Sequence, residues 1–186
     1  MNALETIFSR KSVREFADRP ISDEALDTIL RAGMSGPSCV NARDGAFLVA
    51  RGKETLNRMA DANGKPAEPL RRADAGVLVC GDLGCAFARA KDYWIIDGAI
   101  AAQNMVLAAW SMGIGSVWLG TYPQMDRVEA LGKLFALPES VIPHSIIAFG
   151  YPAQAQTAET DQTAETVQTA ETDHWEASRL HFETWQ

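Results

Sequence analysis

Three cations and a hydroxyl lie together near the start of the chain. Arg10, Lys11, Ser12 and Arg14 fall within the run SRKSVREF. Guanidinium groups hold phosphate through paired hydrogen bonds, and a hydroxyl adds a neutral donor. The segment follows a helical pattern and precedes an extended one, so a loop here can turn two or three donors to one side. Two readings stand open: a solvated basic surface, or a cradle for an anion. The run is no glycine-rich phosphate loop, and the chain's only GxG, Gly113-Ile114-Gly115, sits at a helix end. A phosphate bound here would be held by side chains, which suits a terminal monophosphate better than a dinucleotide.

Two other stretches could meet a flat heterocycle. Pro37-Ser38-Cys39-Val40-Asn41 is a polar turn between a helix and a strand, with a hydroxyl, an amide and free backbone groups. It reads equally as a plain connection. Gly115 to Gly120 sets a strand end beside Trp118 among small residues, where backbone can approach a ring closely. It reads equally as a core strand. His144, His174 and His181 read as structural, and no general acid stands out. Cys39, Cys80 and Cys85 are odd in number and match no zinc spacing, so neither a metal nor a disulfide framework is expected.

The elements that must position these groups follow from periodicity. Residues 3–9 form a short helix with Leu4, Ile7 and Phe8 on one face. Ser22 caps a second helix, with Leu26, Ile29 and Leu30 as its stripe and Gly33 as its stop. Strands are expected at 46–50, 75–81, 116–120 and 145–150. Further helices are expected at 54–61, 97–112 and 125–135, and NGKPAEP reads as a connector. Two opening helices and a long tail break any regular βαβ rhythm, so the class is α+β rather than doubly wound.

Composition limits the partners. The 186 residues are 47% hydrophobic and 22% charged, with a formal net charge of −7, which argues against nucleic acid. Five acids, Glu159, Asp161, Glu165, Glu171 and Asp173, fall in the repeated unit TAETDQ-TAETVQ-TAETDH. Setting them aside leaves 17 basic against 19 acidic side chains, so the rest is nearly neutral. The start has no apolar run of secretory type, and the most apolar stretch, 98–120, carries Gln103, Asn104 and four glycines. No membrane span is expected, and with unpaired cysteines the expected compartment is the cytoplasm. The organisation expected is a domain over 1–152, an acidic linker over 153–173, and an arm over 174–186. The repeat holds too little apolar surface to order itself, so Thr157 to Asp173 is expected to be mobile. Trp175, Leu180, Phe182 and Trp185 would dock against the body.

Taken in order, SRKSVREF with a proline-led helix after it, GPSCVN, DGAIAAQNMVLAAWSMGIGSVWLG and ASRLHFETW resemble the nitroreductase family of flavin-dependent oxidoreductases. The likeness spans the whole chain except the repeats. It implies an α+β homodimer, with a mixed, mainly antiparallel sheet flanked by helices and an extended C-terminal arm, binding FMN at the subunit interface. By that resemblance Arg10 and Ser12 would hold the FMN phosphate, with Lys11 and Arg14 in the same segment. Pro37, Ser38, Cys39 and Asn41 would approach the flavin from the partner subunit. Backbone of Val117, Trp118, Leu119 and Gly120 would lie along the ring, with amides near Leu119 and Gly120 as charge stabilisers, and Arg179 would return to the phosphate. The implied activity is hydride transfer from NAD(P)H to FMN and on to a nitroaromatic, a quinone or another conjugated acceptor, with ping-pong kinetics. The fold would also serve a reductive dehalogenase, or a flavin-binding or redox-sensing module without catalysis. The chain departs from the family pattern at Ala177, where some members carry lysine, and at Gly45, where an aromatic is common.

Overall fold

The computed structural model describes residues 1–153 and 176–181. Four strands form one sheet in the order β1 (Gly45–Ala50), β2 (Ala75–Asp82), β4 (Val141–Gly150), β3 (Gly115–Gly120), antiparallel at every interface. The one parallel pairing among the described residues is an isolated bridge between Ser12 and Ser116.

The first two helices begin where the sequence supplies a side-chain partner for orphan amides. α1 (Ala3–Ser9) opens on a capping box in which Asn2 and Glu5 bond each other reciprocally. α2 (Asp23–Met34) opens on Ser22, whose hydroxyl accepts the Ala25 N–H at 3.2 Å. α3 (Lys53–Asn63), α4 (Tyr93–Ser111) and α5 (Met125–Leu134) complete the set.

The sheet has a core on each face. Leu78, Cys80, Ile146, Ala148, Val117 and Leu119 point to one side, with Leu56 and Met59 of α3 and Leu131 of α5. Val77, Val79, Ile147 and Phe149 point to the other, against Ile29 of α2 and Ala102, Met105 and Ala109 of α4. Strand alternation thus divides the interior into two packed layers.

Three boundaries differ from the sequence reading. α4 starts at Tyr93, not Asp97, because Trp94 is buried over the end of β2 and carries the helix a turn further back. β4 starts at Val141, not Ser145, since Pro143 is tolerated where the register shifts beside Val79 and Cys80. NGKPAEP, residues 63–69, read as a connector, is from Lys65 part of a run of 3₁₀ turns, Lys65–Arg72, a form that prolines 66 and 69 accept. No helix among the described residues is long and apolar enough to cross a membrane. The expected linker, and Trp175, Phe182 and Trp185 of the arm, lie outside the described residues.

Candidate functional site

The basic segment is held like a short strand. The Val13 N–H donates to the Ser116 carbonyl at 2.8 Å, and Ser12 bridges Ser116. Further on, the Ala17 N–H donates to Tyr151 O at 2.8 Å, and the Ala153 N–H to Glu15 O at 3.0 Å. Val13 and Phe16 are buried as its anchors, which leaves Arg10 half-buried and Lys11, Ser12 and Arg14 exposed.

Two glycines make this approach possible. A Cβ on Gly115 would stand 2.8 Å from Val13 Cβ, and one on Gly150 would stand 2.7 Å from Phe16 Cδ1. Both contacts are closer than real side chains tolerate, so the segment seats only against bare backbone. Upstream, Trp110 Nε1–H donates to Ser9 Oγ at 2.9 Å and ties the end of α1 to α4.

The acids near the segment are committed elsewhere. Glu5 serves the cap of α1, and Glu15 is ion-paired to Arg72. Arg10, Lys11 and Arg14 make no side-chain hydrogen bond or ion pair among the described residues. Of the ten other arginines five are ion-paired among the described residues, as Arg51 is with Asp23 at 2.6 Å and Asp74 at 2.9 Å. Three cations without an ion-pair partner among the described residues, on a pinned segment, have donors free for an anion.

The segment lies beside an open sheet edge. β3 is a terminal strand. Its Ser116 carbonyl points outward to Val13, and its Gly120 carbonyl accepts from Arg127 Nη1 at 2.9 Å and Asn63 Nδ2 at 3.2 Å. By the alternation of an antiparallel ladder, Trp118 between them also turns its N–H and C=O outward, while Val117 and Leu119 bond across to β4. Trp118 and Gly120 are exposed, and Val117 and Leu119 are buried. A Cβ on Gly120 would meet nothing within 4 Å, so a flat ligand can lie close to the strand there.

The loop between α2 and β1 is taut. Val40, Asn41 and Arg43 have φ of 47°, 59° and 53°, left-handed values at three residues that are not glycine. Each costs about 1–3 kcal/mol and persists only when surrounding bonds impose it. Those bonds are present. Ser38 Oγ accepts the Arg43 N–H at 2.9 Å, Asn41 Oδ1 accepts Arg43 Nε–H at 3.1 Å, and the Asn41 N–H donates to Ser38 O at 2.9 Å. The Cys39 N–H donates to both oxygens of Asp97 at 3.0 and 3.1 Å, tying the loop to α4. Pro37 and Asn41 are exposed, and the Asn41 Nδ2 group has no partner among the described residues.

Arg179 stands apart. It lies in a single 3₁₀ turn, Ala177–Arg179, and pairs with Glu176 at 2.5 Å. No described hydrogen bond or ion pair joins it to Arg10 or Ser12.

The sequence reading missed two buried acids, Asp44 and Asp97. The signal for Asp97 was a lone acid opening an otherwise apolar helical run. His144, read as structural, is buried; its Nδ1 lies 3.0 Å from Ser145 Oγ, and its ring meets Trp94 and Trp118 edge-on. Burial holds its pKa below the usual histidine value.

Similarity to known proteins agrees with this layout. Two relatives carry the name "Putative NADH dehydrogenase/NAD(P)H nitroreductase". One, from Methanothermobacter thermautotrophicus, is 37% identical over all of this chain and 88% of its own length. The other, a crystal structure from Bacteroides thetaiotaomicron, is 37% identical with a TM-score of 0.82, covering 100% of this chain and 99% of its own. A crystal structure from Desulfovibrio desulfuricans is described, with the same qualifier, as a nitroreductase in complex with FMN; it is 32% identical, TM-score 0.70, covering 83% of this chain and 88% of its own. Residues 7–82 and 87–151 match the Nitroreductase family across the basic segment, the taut loop and the β3 edge, and the chain belongs to that family.

Proposed function

We propose that this chain is an FMN-dependent oxidoreductase that takes hydride from NAD(P)H and delivers it to a nitroaromatic, a quinone or a similar conjugated acceptor. The observation that carries the reading is the pinned basic segment: three cations without counter-charge beside an open strand edge. These residues fit FMN, whose single phosphate carries two acidic oxygens and whose ring is flat. Arg10 would hold the phosphate by paired N–H donors, Ser12 would add its hydroxyl, and Lys11 and Arg14 would supply further charge. The outward N–H groups of Trp118 and Gly120 face the region where a ring alongside β3 would gather negative charge. FMN, when bound, supplies the hydride chemistry, and the chain supplies binding, orientation and charge. One site serving both substrates in turn gives ping-pong kinetics.

The working unit in this reading is a homodimer in the cytoplasm. α1 presents Leu4, Ile7 and Phe8, 64%, 49% and 42% exposed, and this apolar face supports a second copy as its cover. The loop Pro37–Asn41 would then serve the flavin of the partner, and the arm would bring Arg179 towards a phosphate. The three cysteines are free thiols, as suits a reducing compartment.

The purified protein tests this directly. A yellow preparation whose released cofactor has the mass of FMN, and which oxidises NADH or NADPH only with an acceptor such as menadione or nitrofurazone, is the expected result. A colourless protein that gains no flavin absorbance on mixing with FMN would refute it. Flavin bound without turnover would favour the binding or sensing module.

A further inference from the structure

Among the described residues, one buried side chain has polar atoms with no hydrogen-bond partner: Asp44, on both carboxyl oxygens. The residue is 2% exposed and sits between left-handed Arg43 and Gly45, the first residue of β1. Its backbone is fixed, since Asp44 O accepts the Asp82 N–H at 2.7 Å. Its side chain abuts Asp97 of α4, the same carboxylate that accepts the Cys39 N–H. Two ionised carboxylates cannot share such a site without repulsion, and burying an unpaired one costs several kcal/mol.

A single proton resolves both difficulties. Asp44 O–H can donate to an Asp97 oxygen, while Asp97 keeps its bond to Cys39. The groups facing Asp44 are Asp97 from α4, Asp82 at the end of β2 and Cys85 in the turn after it, with no cation among them. Burial first, then Asp97 and Asp82, raise the Asp44 pKa above the usual carboxylate value.

We propose that Asp44 is a positioning residue of the site: it carries a proton that it donates to Asp97, and this carboxyl–carboxylate pair fixes the loop Pro37–Asn41 through the Cys39 amide. The pair explains how three strained residues stay in place, because the loop is anchored at Cys39 from outside itself. On deprotonation the proton leaves to water, the two carboxylates repel, and the anchor loosens. The pairing stands apart from the flavin reading; only the loop's service to FMN rests on it.

The test uses the full chain and has two arms. In the first, the Asp44 carboxyl carbon and the Cys39 amide are followed by NMR as pH rises. The expected result is one shared midpoint, above that of an ordinary aspartate, and a Cys39 amide that no longer titrates in Asp44→Asn, whose amide can still donate to Asp97. An ordinary midpoint for Asp44, or an unchanged Cys39 titration in the variant, overturns the proposal. In the second arm FMN affinity is measured across the same pH range. It should fall about tenfold in the parent through the Asp44 midpoint, the loss of roughly one charged hydrogen bond, and stay flat in Asp44→Asn. A parent whose affinity ignores that midpoint, or a variant that follows the parent, overturns the positioning role. If neither protein binds FMN at any pH, the proposed function fails, while the first arm still decides the pair.

Discussion

Replacing Arg10 with alanine removes one guanidinium from the pinned segment and little else. In the folded chain that side chain has no hydrogen bond or ion pair among the described residues, so its loss leaves no orphaned partner. The Arg10 backbone N–H, which closes α1 on Thr6 O at 3.1 Å, is untouched. What the fold loses is a positive charge at the C-terminal end of α1, about 0.3–1 kcal/mol. What FMN binding loses is larger: a hydrogen bond to a charged group, about 1.5–3 kcal/mol, or about 10- to 150-fold in Kd. Lys11 and Arg14 remain, so the loss stays near one residue's contribution. Flavin fluorescence titration measures the affinity, and urea unfolding of the flavin-free protein measures the fold. Arg31→Ala is the control, because Arg31 pairs with Asp27 on an exposed face of α2. Equal FMN affinity in Arg10→Ala and the parent would return the segment to a solvated surface. A stability loss as large as the affinity loss would show that Arg10 serves the fold.

Gly115→Ala sets a Cβ against Val13, so the basic segment must shift; a stability loss of about 1–3 kcal/mol and weaker FMN binding are expected from urea unfolding and flavin titration. His144 has its pKa lowered chiefly by burial, so the unfolded chain takes up its proton first: its contribution is complete above the ordinary value of 6.5 and is lost as pH falls through the lowered one. Urea midpoints should therefore decline on that acid side, and less so in His144→Gln. Light scattering of the flavin-bound protein should give twice the 20.2 kDa chain mass, and a single-chain mass would contradict the dimer.

Periodicity and apolar runs located the five α-helices and four strands of the main body, but not the 3₁₀ turns at Cys39–Asn41 and Lys65–Arg72. They could not give the strand order, which depends on contacts across the whole chain. Boundaries slipped where a local rule met a tertiary exception. β4 runs back past Ser145 because Pro143 lies at a register shift, and α4 runs back past Asp97 because Trp94 packs over Gly81. The basic segment was legible because charge clusters are visible in any sequence. The tie between Cys39 and Asp97 was not, since 58 residues separate them. A similar separation in sequence hid the proposed pairing of Asp44 with Asp97, and Asp44 does not look unusual among its immediate neighbours.

The division of the interior by the sheet has an evolutionary consequence. The basic segment is rooted through Val13 and Phe16 in the layer beneath α3 and α5, whereas the taut loop is rooted through Asp97 in α4, which packs on the opposite layer. A substitution that loosens one layer need not disturb the other. In the proposed function, grip on the phosphate and shaping of the space over the ring would then be separable traits, and a lineage could drift towards a new electron acceptor without first losing its hold on the prosthetic group.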